Sequence, residues 1–129
     1  MPRIIIAALA YVTPVFAFAF GLGALRVTAV APVTGAFMAV ALETPLVLAM
    51  AWWVAGRVLK RWPLSRPECL KMGGLAFAIL MLAELATALA FGQTSAQFLA
   101  ALATAPGALG LAGQIGFALI PGLRPYPRG

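Results

Sequence analysis

Four long runs of apolar residues, separated by short polar segments, dominate the pattern along this chain. A helix needs about 20 apolar residues to cross the hydrocarbon core of a bilayer. Each run is close to that length, and only helices and closed barrels satisfy their backbone polar groups in hydrocarbon. We therefore predict a single domain, residues 1–129, built as an all-α bundle of four transmembrane helices. The helices are predicted at residues 4–25, 33–56, 71–91 and 107–123.

Helix-capping patterns mark two of the connections. Ser65 and Glu68 form a capping box that predicts the start of the third span, with the serine as N-cap. Thr94 and Gln97 repeat the pattern between the third and fourth spans. They predict a short helix with an apolar face formed by Phe98, Leu99 and Leu102. Because this helix is too short to span, we expect it at the outer interface, either packed there or acting as a lid.

Composition favours a membrane environment. The chain is 64% hydrophobic and 9% charged, with a mean hydropathy of +1.03. Soluble domains have roughly 45–50% apolar and 25% charged residues. We therefore expect the lipid bilayer and other membrane protein chains, of the same or a different kind, to be the partners of this protein.

The net charge of +6 would suggest nucleic-acid binding on a soluble protein, but here the basic residues follow a membrane topology. Arg26 lies on one side of the predicted membrane and the other eight lie on the opposite side. Those eight are Arg3, Arg57, Lys60, Arg61, Arg66, Lys71, Arg124 and Arg128. The positive-inside rule then predicts a cytoplasmic loop after the second span and cytoplasmic termini, with no nucleic-acid partner. The loop sets this topology and could also contact anionic lipid headgroups.

The sequence lacks the residues for a disulfide or for a metal site made of cysteine and histidine. Cys69 is the single cysteine, and the chain has no histidine. An internal disulfide and a Cys/His metal site are therefore excluded. We predict no cofactor, no metal and no catalytic motif.

Two glutamates within apolar runs, Glu43 and Glu84, are the most informative residues, because a carboxylate at membrane depth is costly unless it is neutralised, paired or hydrated. Counted along their helices, Glu84 and Gln114 lie roughly 10 Å below the outer surface and Glu43 about 15 Å below it. Arg26, at the outer mouth, can extend its guanidinium toward them. We predict that Arg26 pairs with one glutamate. The other must then be protonated, hydrated, or paired with another chain or a ligand.

Two further patterns surround this predicted intramembrane polar site. Pro45 removes the helical hydrogen bond to the carbonyl of Ala41 and is expected to bend the second span. On the fourth span, small residues share a face with Gln114 and favour close helix packing, namely Gly107, Gly110 and Ala118.

These residues support three hypotheses for function. An accessory or structural subunit of a membrane complex comes first, because the chain has no soluble domain and too few spans to enclose a transport pathway alone. A small oligomeric proton- or ion-coupled transporter that uses Glu43 and Glu84 is second. A membrane enzyme that uses the pair for acid–base chemistry on a lipid-like substrate is third.

Four stretches carry a resemblance to other proteins, and they are, in chain order, FGLGALRVTAVAP, ALETPLVLAMAWW, AELATALAFG and GLAGQIGFALIPGL. Together they resemble a group of small four-helix inner-membrane proteins of proteobacteria that has no assigned activity. The resemblance spans nearly the whole chain. It implies a bacterial inner-membrane location.

Two characterised families share features with the chain. Small multidrug-resistance exporters match it in length and number of spans, but their membrane glutamate lies in the first span, which has no acid here. MAPEG-type membrane enzymes are four-helix chains of this size, and their second-span glutamate and nearby proline are similar to Glu43-Thr44-Pro45. The Arg and Asn pattern that precedes that glutamate in the family is missing here.

Overall fold

The computed structural model describes residues 2–123, which are 91% helical and contain no strand. Arg124 and Arg128, both assigned above to the cytoplasmic side, lie outside the described residues. The helices are α1 (Pro2–Leu25), α2 (Ala31–Thr34), α3 (Ala36–Arg61), α4 (Arg66–Ala90), α5 (Ser95–Leu102) and α6 (Ala105–Leu123), with a π-helical turn at Arg26–Val30 between α1 and α2. Four of them, α1 together with the π-turn, α3, α4 and α6, are long and apolar enough to cross a membrane.

Both predicted capping boxes are confirmed. The Ser65 side chain accepts a hydrogen bond from the backbone N–H of Glu68, whose carboxylate accepts one from the Ser65 N–H at 2.9 Å. Thr94 and Gln97 make the same reciprocal bonds at the start of α5. The short helix between the third and fourth spans therefore exists, and none of its residues is buried.

Helix ends differ from the ends predicted from hydropathy, including one near Leu25 and one near Arg61. The chain stays helical beyond Leu25, and Gly35, with φ of 89°, separates α2 from α3. A positive φ suits glycine because it has no Cβ. At its other end α3 continues to Arg61, since long basic side chains let a helix extend past the apolar region.

The four long helices form a ring in which α1 contacts α3 and α4, and α6 also contacts α3 and α4. The pairs α1/α6 and α3/α4 therefore lie across the diagonals of the bundle. We call the end with the α3–α4 loop, the start of α1 and the end of α6 the basic end. The opposite end is the far end.

The buried core is concentrated toward the basic end. Its fully buried side chains include Tyr11, Val15, Cys69, Met72 and Phe117. The far half comprises α1 after residue 15, α3 before residue 51, α4 after residue 80 and α6 before residue 117. Among the side chains that the structure describes in these helix segments, the only buried ones are those of Ala39 and Val40.

One hydrogen bond crosses the basic half between the diagonal helices α1 and α6. The Tyr11 hydroxyl donates to the carbonyl oxygen of Phe117 at 2.6 Å, and the two rings stack with centroids 4.4 Å apart. In a regular helix that carbonyl would accept from the N–H four residues later, but that residue is Pro121. The tyrosine therefore supplies the hydrogen bond that the proline removes.

Small residues allow α6 to approach its neighbours closely. A Cβ added to Gly73 in α4 would overlap the backbone carbonyl of Ala118 in α6. A Cβ added to Gly113 would lie 2.8 Å from Cγ2 of Thr44 in α3. These contacts hold α6 between α3 and α4, which positions Gln114.

Candidate functional site

The π-turn at Arg26–Val30 carries the first residue of the site. Pro32 has no N–H to donate to the carbonyl of Thr28 in the α-helical pattern, and the residues before it form a π-helical turn, a feature frequent at functional sites. Arg26 is the first residue of this turn. A Cβ added to Gly23, three residues earlier, would make an ordinary van der Waals contact with Nη2 of Arg26 at 3.5 Å, so the guanidinium lies back along α1.

Arg26 pairs with Glu43. Its Nε lies 3.2 Å from Oε2 of the carboxylate, and the side chains are 34% and 16% exposed. No hydrogen bond is aligned on Nε, although this atom is buried. The contact is therefore an electrostatic pair at the edge of the bundle and not a bidentate arginine–carboxylate bond.

Glu84 is held by Gln114. The Gln114 amide nitrogen donates to Oε1 of the carboxylate at 2.5 Å and also contacts Oε2. This bond joins α4 to α6. The amide oxygen of Gln114 is buried and has no hydrogen-bond partner, so the cluster contains an acceptor that a protonated group or a water molecule inside the bundle could satisfy.

The two pairs form one polar cluster, which we define as Arg26, Glu43, Glu84 and Gln114. Glu84 is close enough to Glu43 and Arg26 for both charges to act on it. With both glutamates ionised, the cluster contains two negative charges and one positive charge. One proton, cation or basic group from another chain would balance it.

Glu43, Glu84 and Gln114 lie in the far half at similar distances from the far ends of their helices, and Arg26 directly follows α1 at the far end. Glu84 is about 9 Å from the last residue of α4, and Gln114 about 13 Å from the first residue of α6. Glu43 is about 10 Å from the start of α3, less than the sequence predicted, because that helix begins at Ala36. Pro45 lies inside α3, which runs through it as one continuous helix.

The Arg26 and Glu43 side chains leave the cluster partly exposed on the outside of the bundle. No group of three His, Cys, Asp or Glu side chains that could hold a metal ion occurs among residues 2–123. A shallow groove lies away from the cluster, at the basic end between α1 and α3. The contacts within the cluster are those of polar groups paired across helix seams.

Sequence reasoning missed several polar contacts at the basic end. The Arg66 guanidinium donates to the carbonyl of Gly122, where it compensates the C-terminal end of α6. The guanidinium groups of Arg57 and Arg61 lie over the rings of Trp53 and Trp62, at 5.4 Å and 5.2 Å. The spacing of four residues between Trp53 and Arg57 on one helix was a usable signal for the first of these pairs.

Comparison with known proteins gives no relative. No family model, no curated protein and no solved structure matches this chain. Function must therefore be inferred from the geometry of the polar cluster and of the helices that hold it.

Proposed function

We propose that this chain is an accessory or structural subunit of a membrane complex. In this proposal it crosses the inner membrane of a bacterium four times, with the basic end in the cytoplasm. Among the described residues, the basic end has Arg3 and the five basic residues from Arg57 to Lys71, and the far end has Arg26. That asymmetry supports the orientation.

The observation that carries the subunit proposal is the mismatch between polarity and burial in the far half. The polar cluster lies there, yet this half has almost no fully buried residue, and Arg26 keeps a third of its side chain exposed. Ionisable groups in membrane helices face a bundle interior, a wet cavity or another chain. A second protein chain against the far half would cover the exposed parts of Arg26 and Glu43 and could balance the excess negative charge of the cluster.

The packing of the basic half favours a subunit over a transporter that works as a single chain. Tyr11, Met72 and Phe117 fill the centre of the bundle there, and no polar or charged residue is buried among the described residues. An ion or proton path from the cluster to the basic end would need polar groups along this half. The Tyr11 hydroxyl is already committed to the Phe117 carbonyl.

The experiment is purification in mild detergent at native expression level, followed by mass spectrometry of the associated chains. Two glycines offer a matched pair of variants, because a Cβ added to Gly21, in the far half, or to Gly74, in the basic half, meets nothing within 4 Å. We expect Gly21→Trp to lose the partner and Gly74→Trp to keep it. A chain that purifies without any partner, or equal retention by both variants, would contradict assembly through the far half.

The charge of the polar cluster favours one second candidate, an oligomeric proton- or ion-coupled transporter. Arg26 cannot neutralise both Glu43 and Glu84, so one carboxylate can bind a proton or cation reversibly. The test is proton flux into proteoliposomes containing the purified oligomer and a pH-sensitive dye. Loss of flux in Glu84→Gln, with flux retained in the capping-box variant Glu68→Gln, would support transport. Unchanged flux in Glu43→Gln and Glu84→Gln would exclude it.

Enzymatic use of the glutamates remains the third hypothesis, and the geometry lends it least support. The nucleophilic thiol of Cys69 is on the same helix as Glu84, but fifteen residues of α-helix separate them by about 22 Å. Cys69 is also fully buried. A covalent mechanism that combines these two groups is therefore excluded by distance.

A further inference from the structure

A shallow apolar groove of about 270 Å³ runs between α1 and α3 in the basic half. Val54 and Val58 are buried beneath it, and Ala10 and Pro14 border it from α1. Trp62 lines its end nearest the α3–α4 loop. The groove opens on the outside of the bundle, where a membrane-spanning helix would meet lipid chains.

One charged side chain lines this groove. The guanidinium of Arg57 lies over the ring of Trp53, which also lines the groove. A cation placed over an aromatic face keeps its edge N–H groups free for an anion. The three acids of the chain have other contacts: Glu43 with Arg26, Glu68 with Ser65, and Glu84 with Gln114. Arg57 therefore has no carboxylate partner in the described part of the chain.

Arg57 also lies near the end of α3, where a membrane-spanning helix would reach the phosphates of the lipid headgroups. It is four residues before the last residue of α3, about 6 Å along the helix axis. Trp53 and Trp62 are typical of the membrane–water interface, where aromatic rings sit at headgroup level. The apolar floor continues from this level toward Pro14, deeper in α1, in the direction an acyl chain would take.

We propose that this groove binds one anionic phospholipid from the leaflet at the basic end. One acyl chain lies along Val54 and Val58, and the phosphate accepts hydrogen bonds from the Arg57 guanidinium. The surrounding charge favours an anionic lipid over a zwitterionic one, because the described basic end carries six basic residues and a single acid, Glu68. The site lies away from the polar cluster and does not depend on what that cluster does.

The test uses the tryptophans of the groove as reporters. The full chain is reconstituted into phosphatidylcholine vesicles containing a small fraction of either brominated phosphatidylglycerol or brominated phosphatidylcholine, and quenching of tryptophan fluorescence is compared. About 0.5 M NaCl screens the diffuse attraction of the basic surface, whereas a direct contact is screened much less. We expect phosphatidylglycerol to bind preferentially, on the order of fivefold, the factor that one basic residue contributes near an anionic membrane.

Three substitutions separate a specific site from general surface charge. Arg57→Gln should abolish the preference, and Lys60→Gln, which removes the same charge from an exposed residue that does not line the groove, should keep it. Ala10→Leu, which fills the apolar part, should weaken the preference with Arg57 still present. Equal losses in Arg57→Gln and Lys60→Gln, an unchanged preference in Ala10→Leu, or no preference in the original protein would each overturn the proposal.

Discussion

The hydrogen bond from Tyr11 to Phe117 predicts a measurable coupling between two distant positions of the sequence. Pro121 has no N–H for the Phe117 carbonyl, and the Tyr11 hydroxyl donates to it instead at 2.6 Å. Tyr11→Phe removes the hydroxyl and keeps the ring that stacks on Phe117. The carbonyl is then left without a partner in a fully buried part of the core.

The magnitude follows from the environment of that carbonyl. An unpaired buried acceptor costs about 1–3 kcal/mol, whereas hydrogen bonds between membrane helices average about 0.6 kcal/mol in measured cycles. We expect Tyr11→Phe to lower the free energy of unfolding by about 1–2 kcal/mol, between these values. Pro121→Ala restores a backbone N–H to the Phe117 carbonyl. In that background the loss of the hydroxyl should cost much less.

The assay is a double-mutant cycle on unfolding in mixed micelles, followed by tryptophan fluorescence and circular dichroism. The cycle cancels the small cavity left by replacing the buried proline, because that cavity is present with either residue at position 11. We expect a coupling energy of about 1 kcal/mol. A coupling near zero, with Tyr11→Phe equally costly in both backgrounds, would refute the assignment of the hydroxyl to the carbonyl that Pro121 leaves free.

Two further predictions concern helix packing and topology. Gly73→Ala should destabilise the protein by about 1–3 kcal/mol or more in the same micelle assay, because the added methyl meets a backbone carbonyl of α6. Gly74→Ala, whose methyl meets nothing within 4 Å, should be neutral or stabilising, and equal effects would contradict the observed contact. Cys69 is buried and cannot report topology. In a Cys69→Ala background, Lys60→Cys should resist a membrane-impermeant thiol reagent in intact spheroplasts while Gln93→Cys reacts, and the reverse pattern would invert the proposed orientation.

The local features of the fold could be predicted because they depend on neighbours in the sequence. Four apolar runs predicted four long helices, and the structure has four helices that are long and apolar enough to cross a membrane. The capping boxes at Ser65 and Thr94 determine where α4 and α5 begin, because their hydrogen bonds span three residues. The sequence also predicts that Arg26 lies at the opposite end of the bundle from the other basic residues. Each span takes the chain from one end to the other, so counting the spans before a residue gives its end.

The tertiary structure was needed to find which side chains pair between different helices. The sequence indicated that Arg26 would pair with one of two glutamates. The arrangement of the helices shows that Arg26 pairs with Glu43. Glu84 instead accepts a hydrogen bond from Gln114. Helix order and rotation decide such pairs, and both depend on close contacts such as that of Gly73 with α6, which involve residues far apart in the chain. The same holds for Tyr11 and the Phe117 carbonyl. The sequence shows that Pro121 has no N–H to donate to this carbonyl, but only helix packing determines that the Tyr11 hydroxyl donates instead.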